Sequence, residues 1–158
     1  IAPKLSESLF LDLYAGVGSV GIEALSRGAK RVVFAEMSDK SISLIRHNLE
    51  MLNFQDKADI VKCDVIKGFS KFQNKYDIIF LGPPYKDKHK TALALTYPTL
   101  KNIVIYSILK DDGIIISQRH MKEPVDVVAG LLNFRNEKYG DTVISFYRMQ
   151  KWETMNLK

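Results

Sequence analysis

The residues of this chain that can do chemistry fall at the ends of apolar runs. Asp12 lies inside the run Leu9–Tyr14, and Ala15 leads from it into Gly16, Gly18 and Gly21, a G-x-G-x-x-G turn. Glycines at that spacing permit a tight turn and a close approach of backbone to a ligand. Glu36 ends a second run, where a carboxylate can accept both hydroxyls of a ribose. Asp64 follows a third, placed to accept from an adenine amine while the backbone near Cys63 and Val65 frames the ring. After a fourth run, Tyr76–Leu81, comes Gly82-Pro83-Pro84-Tyr85. Two prolines fix a stiff turn that continues neither helix nor central strand, and Tyr85 offers a face on which a base can stack.

The glycine turn and Glu36 alone suit a nicotinamide dinucleotide as well as any other adenosine ligand. Asp12 tilts the reading. A diphosphate is anionic, whereas a carboxylate four residues before the turn suits a ligand with positive charge there. S-adenosylmethionine carries a sulfonium and an α-amino group. Glu36 for ribose, Asp64 for adenine and Asp12 near the methionine end then make one ligand map, with Tyr14, Ala15, Gly16 and Gly18 lining the loop. Lys86, Lys88, His89 and Lys90 follow the proline turn, where phosphates flanking an extruded base would lie. Arg119, His120 and Lys122 fall on the same rim.

Alternating strand-like and helix-like stretches must position these residues. Leu9–Tyr14, Arg31–Glu36, Ala58–Cys63, Tyr76–Leu81 and Gly113–Gln118 read as strands. Helices are expected over Ser19–Ser26, ending at Arg27-Gly28; over Asp39–Leu52, capped by Ser38; over Val65–Phe72; over Thr91–Leu109 with an interruption at Pro98; and over Val125–Leu132. Phe134–Tyr139 and Thr142–Gln150 flank Gly140-Asp141 as a hairpin. The pattern is a doubly wound α/β domain whose continuous apolar strands are buried on both faces. Ligands of such sheets sit beyond the carboxyl ends of the strands.

Composition bounds the rest. The chain has 158 residues, 46% of them hydrophobic and 26% charged, which predicts one globular domain. Net charge is +5, compatible with a polyanionic partner. Cys63 is the single cysteine, which excludes an internal disulfide and fits a reducing, cytoplasmic setting. No apolar run is long enough for a membrane span. His47, His89 and His120 have no ligand spacing, so no metal is expected.

Asp12–Ala29 (DLYAGVGSVGIEALSRGA) resembles the D-x-F-A-G-S-G-x-x-G-x-E-A-L-S-R-G-A segment of the RsmD-type 16S ribosomal RNA guanine-N2 methyltransferases. Glu36-Met37, His47–Leu49, Tyr76–Tyr85 and the hairpin end Phe146–Met149 are similar to that family as well, so the likeness runs from about Leu5 to Gln150. It implies a Rossmann-like class I S-adenosylmethionine fold: a seven-stranded sheet, mostly parallel, with the last strand antiparallel and helices on both faces. It also implies that Asp12, Gly16 and Gly18 line the methionine end, that Met37 packs on adenine, and that Pro83, Pro84 and Tyr85 form the target-base site. The partner implied is ribosomal RNA in the small subunit or an assembly intermediate, met by a monomer. The resemblance also implies a basic amino-terminal arm, which is expected to be absent here.

One position departs from the family. Gly82 stands where its members carry Asp, and relatives Asn, as a hydrogen-bond acceptor for the target amine. Three readings follow from this: Asp87 reaches back as a substitute, the chain is a slow enzyme or a binding-only assembly factor, or the glycine is peculiar to this chain. Because the Pro-Pro-Tyr turn is shared with adenine-N6 methyltransferases, an adenine target in DNA or RNA is the alternative within the same chemistry.

Overall fold

The computed structural model describes residues 2–150; Ile1 and residues 151–158, expected in the same domain, lie outside the description. Seven strands form one sheet: β1 (Leu9–Leu13), β2 (Arg31–Glu36), β3 (Ala58–Lys62), β4 (Tyr76–Leu81), β5 (Leu109–His120), β6 (Leu131–Tyr139) and β7 (Thr142–Met149). Their order across the sheet is β3-β2-β1-β4-β5-β7-β6. The first five strands pair in parallel, and β7 runs antiparallel to both β5 and β6. Among the described residues four α-helices accompany them: α1 (Ala2–Leu5), α2 (Ser19–Ser26), α3 (Asp39–Met51) and α4 (Thr96–Ile105). No described helix is long and apolar enough to cross a membrane.

β1 and β4 are the two adjacent central strands, which is why both read as unbroken apolar runs. Their side chains divide between two cores. Leu11, Leu13, Ile79 and Leu81 pack with Leu100 and Ile103 of α4 on one face. Phe10 and Ile78 pack with Phe34, Leu25 of α2 and Ile45 of α3 on the other. Each such side chain, fully removed from water, contributes about 1.5–3 kcal/mol. Because the first five strands are parallel, the segments that follow them emerge along one edge, and every sequence-named site residue lies near that edge.

Several predicted elements differ. The helix expected over Val65–Phe72 is a turn followed by one 3-10 turn at Phe69–Lys71. Asp64 closes the turn by accepting the Ile66 amide, and side chain–backbone bonds of this kind compete with helix. Residues 91–95 are not helical; α4 starts at Thr96 and is not interrupted by Pro98, which sits in its first turn, where a missing N–H costs nothing. No helix forms over Val125–Leu132. Gly130 there has φ 89, Val125 and Val128 pack on the core from irregular chain, and Leu131 enters it as the first residue of β6. β5 begins earlier than expected, at Leu109. Its register against β4 jumps between the Tyr76–Leu109 and Ile78–Ile114 pairs, so Asp111-Asp112-Gly113 is an excursion within the strand.

Candidate active site

β1 runs into a loop stitched to β2. Tyr14, Gly16 and Gly18 have φ of 61, 58 and 84. The Ala15 amide donates to Ala35 O at 3.0 Å and the Gly18 amide to Ala15 O at 2.8 Å. Gly21 has a different duty: a Cβ there would be driven into the Phe34 ring, so only glycine lets α2 lie this close to β2. α2 has no capping side chain of its own at Gly18. Asp12, buried beneath it, accepts the Gly21 amide at 2.9 Å and satisfies one of the free donors of that helix end. Burial pushes the Asp12 carboxyl up to about 7, with the Gly21 bond opposing and Glu36 adding to the rise. Asp12 therefore braces the loop from below and is not part of the cleft wall, contrary to the expectation that it lines the methionine end.

Glu36 joins the loop to β2. Its Oε2 accepts the Gly16 amide at 2.8 Å and its Oε1 accepts the Met37 and Ser38 amides at 2.9 Å each. A carboxylate oxygen has about two acceptor sites, so Oε2 retains one for a ligand. Asp64 Oδ1 accepts from Ile66 at 2.9 Å and Lys67 at 3.3 Å, which leaves Oδ2 without a protein partner among the described residues.

Between these carboxylates opens a cleft of about 600 Å³. Tyr14, Gly16, Glu36 and Met37 reach it from the first two strand ends, and Asp64, Val65, Gly82 and Pro84 from the next two. Ala15, Gly18 and the buried Pro83 shape the backbone without lining it. Leu93 and Leu95 complete the wall. Nothing in the sequence marked them, because they fall in the stretch read as helix. The Tyr14 hydroxyl lies 2.7 Å from Thr99 Oγ1, and burial pushes it up to about 12, so it stays neutral. Burial likewise raises the Cys63 thiol in the wall.

The turn Gly82–Tyr85 separates this cleft from a second cavity of about 590 Å³, which shares Leu93 with it. Tyr85 stands in the second cavity with its hydroxyl accepting from Gln118 Nε2 at 3.2 Å and its ring edge-on to His120 at 5.8 Å. Lys86, His120, Lys122 and Glu123 also line it, so the two basic rims do meet. Lys86 bridges to Ala92, and Asp87 Oδ1 accepts the His89 and Thr91 amides, closing a small antiparallel loop with Lys88, His89 and Lys90 exposed at its tip. Asp87 is thus spent on its own turn and does not reach back to Gly82. Arg119 also departs from expectation: its Nη1 donates to the backbone carbonyls of Glu123 at 2.9 Å and His120 at 3.4 Å, and the half-buried side chain clamps that segment. A further cavity of about 740 Å³, near Asp111, Phe134 and Arg148, opens away from the carboxyl ends of the parallel strands where such sheets bind ligands.

The family described as "Conserved hypothetical protein 95" matches residues 1–148. A Bacillus subtilis (strain 168) protein named "Putative rRNA methyltransferase YlbH" is 33% identical over 152 residues, which cover 94% of this chain and 79% of that protein. "Ribosomal RNA small subunit methyltransferase D" of Haemophilus influenzae is 29% identical over 142 residues, 85% of this chain and 74% of that one. Among solved structures, a Haemophilus influenzae chain described as a "putative methylase" superposes with a TM-score of 0.82 over 95% of this chain and 91% of its own, at 24% identity, a likeness of fold. With a family match over nearly its whole length and a relative one-third identical, the chain belongs to the family of Conserved hypothetical protein 95, the RsmD-type family that its strand-end motifs resemble.

Proposed function

We propose that the chain transfers a methyl group from S-adenosylmethionine to the exocyclic N2 amine of a guanine in small-subunit ribosomal RNA, acting as a monomer on the subunit or an assembly intermediate. The observation that carries this is the adjacency of two cavities across the turn Gly82–Tyr85, one carboxylate-lined and one aromatic and basic. The cleft falls within the usual small-ligand range of about 300–1,000 Å³. The one free acceptor site on Glu36 Oε2 takes a ribose hydroxyl and Asp64 Oδ2 the adenine amine. Met37, 64% exposed, has room to fold onto the ring, and Gly16 has nothing within 4 Å of where a Cβ would sit. When bound, the cofactor supplies a methyl carbon on a cationic sulfur that leaves as a neutral sulfide.

The amine of guanine is a weak nucleophile because its lone pair is shared with the ring. An acceptor bonded to its hydrogens returns density to N2 and aims it. The Pro83 carbonyl is that acceptor in the proline turn, and Tyr85 stacks the base once it leaves its helix. Held this way, N2 would face the methyl carbon that the bound cofactor would supply, and the proton N2 gives up would pass to water. Lys86, Lys88 and Lys90 meet the flanking phosphates. Gly82 lacks the side-chain acceptor of the family, which favours a slow enzyme and makes an RNA-binding assembly factor the second reading. Titration calorimetry with S-adenosylhomocysteine tests the cofactor half: saturable one-to-one binding is expected, and no heat of binding refutes the reading.

A further inference from the structure

We propose that Glu123, which no strand-end motif picks out, is the residue that selects guanine as the target base; this rests on the methyltransferase reading above. Glu123 is 8% exposed and lines the second cavity beside Tyr85. Three contacts hold it rigidly. Its Oε1 accepts the amide of Thr96 at the start of α4 at 2.8 Å, its own amide donates to His120 O at 3.0 Å, and its carbonyl accepts from Arg119 Nη1 at 2.9 Å. A carboxylate this buried is costly unless its acceptor sites are filled. One amide fills one of about four.

The surroundings say what fills the others. Tyr85 and Leu93 give the cavity an apolar wall, and Lys86 and Lys122 stand at its rim, so it is built for a flat group carried on an anionic backbone. Among the bases, guanine alone presents two adjacent donors, N1–H and N2–H, which match the two oxygens of a carboxylate. Adenine and cytosine each set a ring-nitrogen acceptor beside their amine, which a carboxylate repels, and uracil sets its single N–H between two carbonyls. The carboxylate therefore reads the Watson–Crick edge of guanine and excludes the adenine alternative.

The capping contact with Thr96 has a separate explanation as helix support, and the test must split the two roles. Glu123→Gln keeps an oxygen for the Thr96 amide but puts a donor where guanine has donors. Three single-stranded RNA oligonucleotides are compared, identical except for one guanine, inosine or adenine, by fluorescence anisotropy with protein saturated in S-adenosylhomocysteine. Wild type is expected to bind the guanine strand about tenfold or more tighter than the other two. Glu123→Gln is expected to erase that preference with its melting temperature and S-adenosylhomocysteine affinity unchanged. Retention of the preference by Glu123→Gln overturns the proposal. So does wild type that binds S-adenosylhomocysteine yet shows no preference for guanine, whereas absence of S-adenosylhomocysteine binding overturns the underlying reading instead.

Discussion

The ring of Phe80 stands against the open flank of Gly82, its Cε1 3.0 Å from where a Cβ would sit. That contact is tight but not prohibitive, because Phe80 is half-buried and the encroaching atoms are the far end of its ring. Gly82→Asp should therefore fold, with the Phe80 ring moving by a few tenths of an ångström, and return the missing acceptor. A hydrogen bond to a charged group contributes about 1.5–3 kcal/mol, so single-turnover methyl transfer should rise by about one to two powers of ten. Gly82→Ala makes the same contact without an acceptor and should give no gain. Equal rates for the two variants would show that the acceptor plays no part.

Glu36 should matter to ligand and loop together. Glu36→Ala frees three backbone amides, those of Gly16, Met37 and Ser38, and removes the ribose acceptor. Affinity for S-adenosylhomocysteine, measured by calorimetry, should fall by about 10- to 100-fold on the scale of lost hydrogen bonds to a charged group. An unchanged affinity would place the adenosine elsewhere.

Asp12 should make stability fall as pH rises. Its folded value is pushed up to about 7 by burial, against 3.8 as the ordinary value. Below the ordinary value both states hold the proton and the contribution is complete. Between about 4 and 7 only the unfolded chain ionises freely, so stability is lost at up to about 1.4 kcal/mol per pH unit, and above 7 the loss is complete. Asp12→Asn keeps an acceptor for the Gly21 amide and cannot ionise. Its urea midpoint should match wild type near pH 4 and exceed it at pH 8. A difference between the two proteins that is the same at both pH values would contradict this.

The loop tip should act through charge alone. Lys88 and Lys90 are exposed there and Lys86 lies at its base. Replacing all three with Gln should weaken RNA binding and lower the slope of log affinity against log salt by about 2, at roughly 0.7 per phosphate contact for a single strand. Cofactor affinity should not move. An unaltered slope would mean that the phosphates pass another surface.

Much of this fold was legible because its central strands β1, β2 and β4 are buried on both faces and its turns carry glycine and proline. β1, β2 and β4 differ from their expected bounds by one residue at most, and the hairpin of β6 and β7 turns at Gly140-Asp141 as its residues suggest. The misread segments are those where long-range contact overrides local pattern. Residues 125–128 were read as helix, but Val125 and Val128 are drawn against the core while Val127 between them stays exposed. Asp12 shows the same limit within the site. Its charge was visible and its usefulness near the loop was inferred, but whether it faced ligand or helix depended on where α2 lands. Glu123 was invisible for a similar reason: what brings it beside Tyr85 is the neighbouring placement of β4 and β5, not spacing along the chain.

The most direct measurement of the central claim is mass spectrometry of nucleosides from small ribosomal subunits lacking the modification, after incubation with this protein and S-adenosylmethionine bearing an isotopically labelled methyl group. The account predicts label in N2-methylguanosine, slow with wild type and faster with Gly82→Asp. Label in N6-methyladenosine, or none with either protein, would contradict it.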